Sequence, residues 1–437
     1  MAKVSKILTD YRDLFSGFDN IEVFYSLLKT DDGKVKEFLS IFDSVEDSRM
    51  ENKITYTTAT VVGIVFLGVL HKMYLWTGIE AFAYEKKDIV EKYVDLSKGI
   101  PSHDTLKRVF SLINSETLEN ALVDFIQRSI EATAKALEIA SEEDMRMISM
   151  DGKELHGTGR KYNTSEKVMN AQIMHFYDVG TGVCVRSELI EEKTNEIPTA
   201  QKVLASLNIK NVLITSDAMN CQKNTVKVIR EGKGHYVLGL KENHKDFYNE
   251  VIDKFNKTDK FGKNDYYKME TEKNHNQVEI REFYRIKSNE FVFSDEWEGI
   301  KNVAMYKKTM TNNITGRESQ EFRYYITDLN DIELISTAIR RHWAVENELH
   351  WHMDANFDED ADKTMDRRAI NNLSIIKKSV LTLLKLMQPI LGNRSLRLTQ
   401  DVFIMNYEIN LIKLFTLLDG ENIKYLLNNK KQTKDSK

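Results

Sequence analysis

The spacing of apolar positions changes character at Arg146. Before it, apolar residues recur at helical intervals. Residues 56–76 are apolar on nearly every side, which predicts a buried core helix. Gly99-Ile100-Pro101 interrupts the chain. Ser102 then reads as a helix N-cap, with Leu106, Val109, Phe110 and Ile113 as the apolar stripe that follows it, and residues 116–140 form another amphipathic helix. After Arg146 the pattern becomes strand-like. Residues 146–151 form a short strand ended by Gly152. Residues 171–177 and 183–190 form a hairpin about the turn Asp178-Val179-Gly180-Thr181-Gly182. A helix over 198–207 leads to the continuous apolar run 212–216, as expected of a buried central strand, which ends at Asp217. A helix over 221–231 and a strand over 235–240 complete the order β-β-β-α-β-α-β, an α/β unit with a mixed sheet of five strands and flanking helices.

Residues 241–325 break this rhythm. They are polar, with strand-like pieces at 277–286 and 302–307, and read as a β-rich insertion. Helical spacing resumes at Asp331 and runs past Trp351, then again over 366–387 and 408–418, and residues 430–437 read as disordered. The division expected is a helical N-terminal domain over 1–145, an α/β domain over 146–390 carrying the insertion at 241–325, and a helical tail over 391–437.

Composition narrows the class without choosing the function. The 437 residues are 41% hydrophobic and 30% charged, with 19 Gly and 3 Pro, which suits a large globular core and excludes collagen-like or linker-dominated chains. The two cysteines, Cys184 and Cys221, argue against a disulfide framework and against a Cys-ligated zinc site. The first ten residues lack the apolar core of a signal peptide, and the apolar run 59–70 is too short to span a bilayer, so a soluble protein of a reducing compartment is expected. The net charge of −5 leaves 62 Lys and Arg whose placement decides whether nucleic acid can bind.

Asp151 and Asp217 both fall at the ends of predicted strands, where ligand sites of open α/β sheets collect. If the first and fourth strands are neighbours, the two carboxylates face each other, although Asp is also an ordinary turn residue there. On the helix after Asp331, the stripe Ile335, Ile339, His342, Glu346, Leu349, Met353 places Glu346 on the sheet-facing side. A buried carboxylate needs a partner. Arg340 or Arg341 would serve, or Glu346 is a third metal carboxylate beside Asp151 and Asp217, a set suited to Mg²⁺ or Mn²⁺. His350 and His352, two apart on a helix, point away from each other and cannot share one ion. The acidic run Asp354, Asp358, Glu359, Asp360 reads as a solvated face or as helix caps. The basic residues Arg367, Arg368, Lys377, Lys378, Lys385, Arg394 and Arg397 read as a phosphate-tracking surface or an ordinary solvated one. Trp297, near Phe291 and Phe293, reads either as the core of the insertion or as a base-stacking residue.

Four segments, in this order, resemble the DDE transposases of bacterial insertion sequences, in the branch that includes the H-repeat-associated proteins. They are Ile148-Ser149-Met150-Asp151-Gly152-Lys153; Lys193-Thr194-Asn195-Glu196-Ile197 with Thr215-Ser216-Asp217-Ala218-Met219-Asn220-Cys221-Gln222; Tyr236-Val237-Leu238-Gly239-Leu240-Lys241-Glu242-Asn243; and Arg341-His342-Trp343-Ala344-Val345-Glu346-Asn347 with Leu349-His350-Trp351. Gly99 to Thr105 resembles the helical domain that accompanies that catalytic unit. The resemblance implies a ribonuclease H-like catalytic fold with Asp151, Asp217 and Glu346 as the metal triad, holding two Mg²⁺ (or Mn²⁺) ions. It also implies double-stranded DNA as partner, at transposon ends and target, a homodimer on that DNA, no membrane, and a cytoplasmic, nucleoid-associated location. Lys153, Lys223, Lys227, Arg341, His342, Trp297, Arg367 and Arg368 are the expected DNA contacts. A metal-dependent nuclease that cuts without joining, and a silent DNA-binding derivative, are the rival functions.

Overall fold

Residues 40–136, 145–161, 167–191, 195–274, 277–388, 391–392 and 395–418 are described by a computed structural model of the chain. The expected disorder at 430–437, and Lys193, Thr194 and Arg394, lie outside these residues.

The first five expected strands are present: β1 (Met147–Leu155), β4 (Ala171–Asp178), β5 (Val183–Ile190), β6 (Leu213–Ser216) and β7 (His235–Leu240). The short β2 (Arg160–Lys161) and β3 (Lys167–Val168) pair separately as a ribbon. β6 is buried along its whole length and β7 nearly so, which explains why both read as unbroken apolar runs rather than as alternation. β1 pairs in parallel with β6 and β6 with β7, whereas β4 is antiparallel to both β1 and β5.

The sheet does not stop at five strands. The insertion contributes β8 (Tyr266–Asn274), β9 (Gln277–Lys287), β10 (Asn302–Asn312) and β11 (Glu318–Thr327) to one nine-stranded sheet ordered β5-β4-β1-β6-β7-β11-β10-β9-β8. β11 lies antiparallel on β7, pairing Tyr324 with Leu240 and Ile326 with Leu238. The insertion is thus an extension of the catalytic sheet. A helix over Lys245–Lys257 packs on it through Phe247, Val251 and Phe255, four residues apart, and Trp297 is only 3% exposed beside the rings of Phe247 and His244. The core reading of Trp297 holds and the base-stacking one fails.

The helix Thr58–Leu70, capped by the Thr57 hydroxyl accepting from the Thr60 amide, is buried from Thr60 to Leu70, as its all-round apolar surface requires. The Ser102 cap forms as expected, on the amide of Thr105. One hydrophobic core joins these helices to the helix Arg367–Met387 and to the final described pair, Leu396–Met405 and Tyr407–Leu417. The Tyr407 hydroxyl donates to the Leu67 carbonyl at 2.6 Å.

The helix Arg367–Met387 overturns the expected basic surface. Lys377 is 1% exposed, 3.8 Å from Asp362. Lys378 is buried on the Ser187 hydroxyl at 2.5 Å, with Glu119 at 4.0 Å. Lys385 donates to the Glu348 carbonyl and the Tyr177 hydroxyl. Lys377 and Lys378 neutralise buried acids from distant segments and are not displayed to solvent, and Lys385 is half-buried, while Arg368 and Arg397 are exposed.

Candidate active site

Alternation along β1 sends Ser149, Asp151 and Lys153 to one face of the sheet, and Ile148 and Met150 to the other. Asp151 lies opposite His175 of β4. Met150 pairs with Ser216 of β6, so one further step sets Asp151 beside Asp217. The expected adjacency of the first and fourth strands is therefore present. The expected strand end at Gly152 is not, because β1 continues to Leu155 and Asp151 sits within it. Two glycines make room here. A Cβ at Gly152 would collide with the Glu196 carboxylate, and one at Gly239 would lie 3.2 Å from the Ala218 nitrogen and 3.3 Å from the Asp217 carbonyl carbon. Asp217 accepts from the Met219 amide at 3.1 Å, which fixes its turn.

The third segment is the helix Ile332–His342, capped by Asp331. Its end is fastened across β6 and β1: His342 Nδ1 lies 3.2 Å from the Thr215 hydroxyl, which is 2.9 Å from that of Ser149. Burial holds His342 down at about 4, so the ring is neutral. A π-helical turn over Val345–His350 follows, an irregularity that recurs at functional sites. This break corrects the expectation for Glu346, whose side chain is 53% exposed at the opening rather than buried on the sheet. It pairs with neither arginine, since Arg340 contacts the Met269 sulfur and Arg341 donates to the Val179 carbonyl at 2.7 Å.

The partner of Glu346 is His350. Its Nδ1 is 3.1 Å from Glu346 Oε2 and 3.6 Å from Asp151 Oδ2, while its Nε2 is 3.0 Å from Nδ1 of the fully buried His175. Ligand atoms of Asp151, Glu346 and His350 all lie within 4.8 Å of one another. Burial, and then the charges of Asp217 and Glu346, raise Asp151 to about 6 against the opposing pull of His350. Burial and the charges of Asp151 and Asp217 also raise Glu196, whereas the hydrogen bond from His350 lowers Glu346. Carboxylate oxygens and one ring nitrogen, gathered where negative charge is already uncomfortable, fit a divalent cation.

Of the other expected site residues, Lys153 is buried between Asp354 at 2.6 Å and Glu359 at 2.8 Å, and so cannot meet DNA. The acidic run is correspondingly not a solvated face, because Glu359 is buried and also accepts from Ser374. Arg341 donates to the Val179 carbonyl and His342 lies on the Thr215 hydroxyl, and both are half-buried. Lys223 and Lys227 are exposed on the helix Lys223–Glu231, paired with Glu296 and Glu231. Arg367 donates to the Met169 carbonyl and Arg368 is exposed. Three residues of the site escaped the sequence reading as site residues: His350, His175 and Glu196. The i, i+4 spacing of Glu346 and His350 was an available signal, but His175 becomes visible only once the β1–β4 register is known.

Residues 142–383 match the model of the transposase DDE domain, and residues 39–126 match that of the DDE_Tnp_1-associated domain. The chain belongs to the DDE transposase family. Among its relatives, "Putative transposase YncI" of Escherichia coli O157:H7 is 29% identical over 359 residues, covering 80% of this chain and 88% of that one. "H repeat-associated putative transposase YhhI" of Escherichia coli (strain K12) is 28% identical over 357 residues, covering 80% and 90%. A solved synaptic complex of piggyBac transposase with hairpin DNA aligns over 97% of this chain and 84% of that one, at 11% identity and a TM-score of 0.36, too low to carry an argument about this fold. Among the described residues, no helix is long and apolar enough to cross a membrane.

Proposed function

We propose that the chain cuts DNA at the ends of its element and joins the freed 3′-hydroxyl ends to target DNA. The observation that supports this is that Asp151 of β1 and Glu346 of the π-helical turn bring carboxylate oxygens within 4.8 Å of each other and of His350, while Asp217, one step along the β1–β6 register, stands outside that group but near enough for its charge to raise Asp151. Asp151, Asp217 and Glu346 would hold divalent ions, Mg²⁺ or Mn²⁺, two per site. Bound there, such ions supply Lewis-acid chemistry, acidifying an attacking hydroxyl and offsetting charge on the leaving oxygen.

The protein's own part is placement. The Ser149–Thr215–His342 contacts hold the Glu346 segment over β1 and β6, and His350 keeps the Glu346 carboxylate turned toward Asp151. No nucleophilic side chain is required, because water and then the DNA 3′-hydroxyl attack phosphorus directly. Exposed Lys223 and Lys227, beside the Asp217 turn, with Arg368, supply phosphate contacts in this reading. The helices before residue 146 act as a DNA-binding accompaniment to the catalytic unit, and a homodimer holds the paired ends.

Incubating the protein with pre-cut element ends, a target plasmid and Mg²⁺ tests this. Covalently joined products are expected. Cutting of uncut ends without any joining would assign a nuclease instead.

A further inference from the structure

Resting on the reading of this cluster as a divalent-metal site, we propose that His350 is itself a ligand, which makes the site a mixed nitrogen–oxygen one. The ring lies where an ion between the carboxylates would need a donor. Its Nδ1 faces Glu346 Oε2 at 3.1 Å and Asp151 Oδ2 at 3.6 Å, and the three ligand atoms fall within 4.8 Å of one another.

The ring is also held as metal-binding imidazoles are held, through its other nitrogen. His350 is 4% exposed, and its Nε2 meets His175 Nδ1 at 3.0 Å. His175 is completely enclosed, and among the described residues its Nε2 has no partner and its ring hydrogen-bonds only to His350. Burial keeps His175 neutral. A neutral His175 Nδ1 can either donate to His350 Nε2 or accept from it, so the bond can run in either sense. With no ion, His350 Nδ1–H points at the carboxylates and Nε2 accepts from His175. With an ion, His350 Nε2–H donates to His175 Nδ1, the His175 proton sits on Nε2, and the Nδ1 lone pair of His350 turns to the metal. No proton is gained or lost in the exchange.

An imidazole ligand suits the later first-row divalent ions better than Mg²⁺, and Mn²⁺, which shares the carboxylate preference of Mg²⁺, serves as the paramagnetic probe. The test is Mn²⁺ added to the full chain, followed by electron paramagnetic resonance with electron spin-echo envelope modulation. The expected result is bound Mn²⁺ with nitrogen modulation that changes when the protein carries ¹⁵N-histidine, and that disappears in His350→Gln while Mn²⁺ still binds. The labelled wild-type arm is decisive even if that variant fails to fold, because it needs no substitution. Bound Mn²⁺ without histidine-derived modulation would overturn the ligand assignment and leave the metal site standing. Mn²⁺ binding no greater than in Asp151→Asn would overturn both.

Discussion

Asp151 sits in an environment that disfavours its charged form. Its carboxyl is raised to about 6, first by burial and then by Asp217 and Glu346. The folded chain therefore keeps a proton that the unfolded chain gives up near pH 4. As pH rises from about 4 to about 6, the unfolded state gains relative stability at about 1.4 kcal/mol per pH unit, about 3 kcal/mol in total, and above about pH 6 the penalty is constant. In chelator, wild type should lose this increment over that window while Asp151→Asn does not, read as urea midpoints at several pH values. Parallel pH profiles would sink the assignment. Asp217 was legible as an acid closing an apolar strand before a turn, whereas Asp151 was picked out by the same rule although β1 runs on past it to Leu155. His175 was not, because an isolated histidine in an apolar strand carries no mark of what lies across the ladder. Glu346 was singled out by a helical stripe that a π-helical turn interrupts, which is why its expected burial on the sheet was wrong.

At the scale of elements, a charge can be read from sequence but not its direction. Lys153 and Lys377 looked like phosphate contacts, yet they enter the interior to meet Glu359, Asp354 and Asp362. Removing one partner leaves a buried charge exposed to its full desolvation cost. Glu359→Ala should therefore destabilise by about 3 kcal/mol or more by chemical denaturation. A change within about 1 kcal/mol of wild type would show that Lys153 is satisfied by Asp354 alone. In the insertion, Trp297→Ala should cost about 3–5 kcal/mol as a core truncation. A fully folded insertion with near-native hydrogen-exchange protection in that variant would count against its core role. β8 and β11 escaped the sequence reading because they are half-exposed strands without clean alternation. The helix Lys245–Lys257 was readable from Phe247, Val251 and Phe255, had the polar composition around them not argued for loops.

For the whole molecule, the five strands β1 and β4 to β7 were legible and the nine-stranded continuity was not, since the pairing of β11 with β7 brings the far end of the insertion back onto the strand that precedes it. The shared core makes a related prediction. The helices Leu396–Met405 and Tyr407–Leu417 cover the helix Thr58–Leu70, so a chain ending at residue 390 should expose that helix and lose amide protection there. Unchanged protection over residues 58–70 would show that the N-terminal helices stand without them. The central claim is that Asp151, Asp217 and Glu346 act as one site whose job is chemistry rather than DNA affinity. Its most direct measurement pairs cleavage of element-end DNA in Mg²⁺ with a DNA-binding titration for Asp151→Asn, Asp217→Asn and Glu346→Gln. Each substitution should abolish cleavage while affinity stays within a few-fold of wild type, because affinity comes from Lys and Arg contacts to phosphate. Substantial cleavage by any one variant would contradict it.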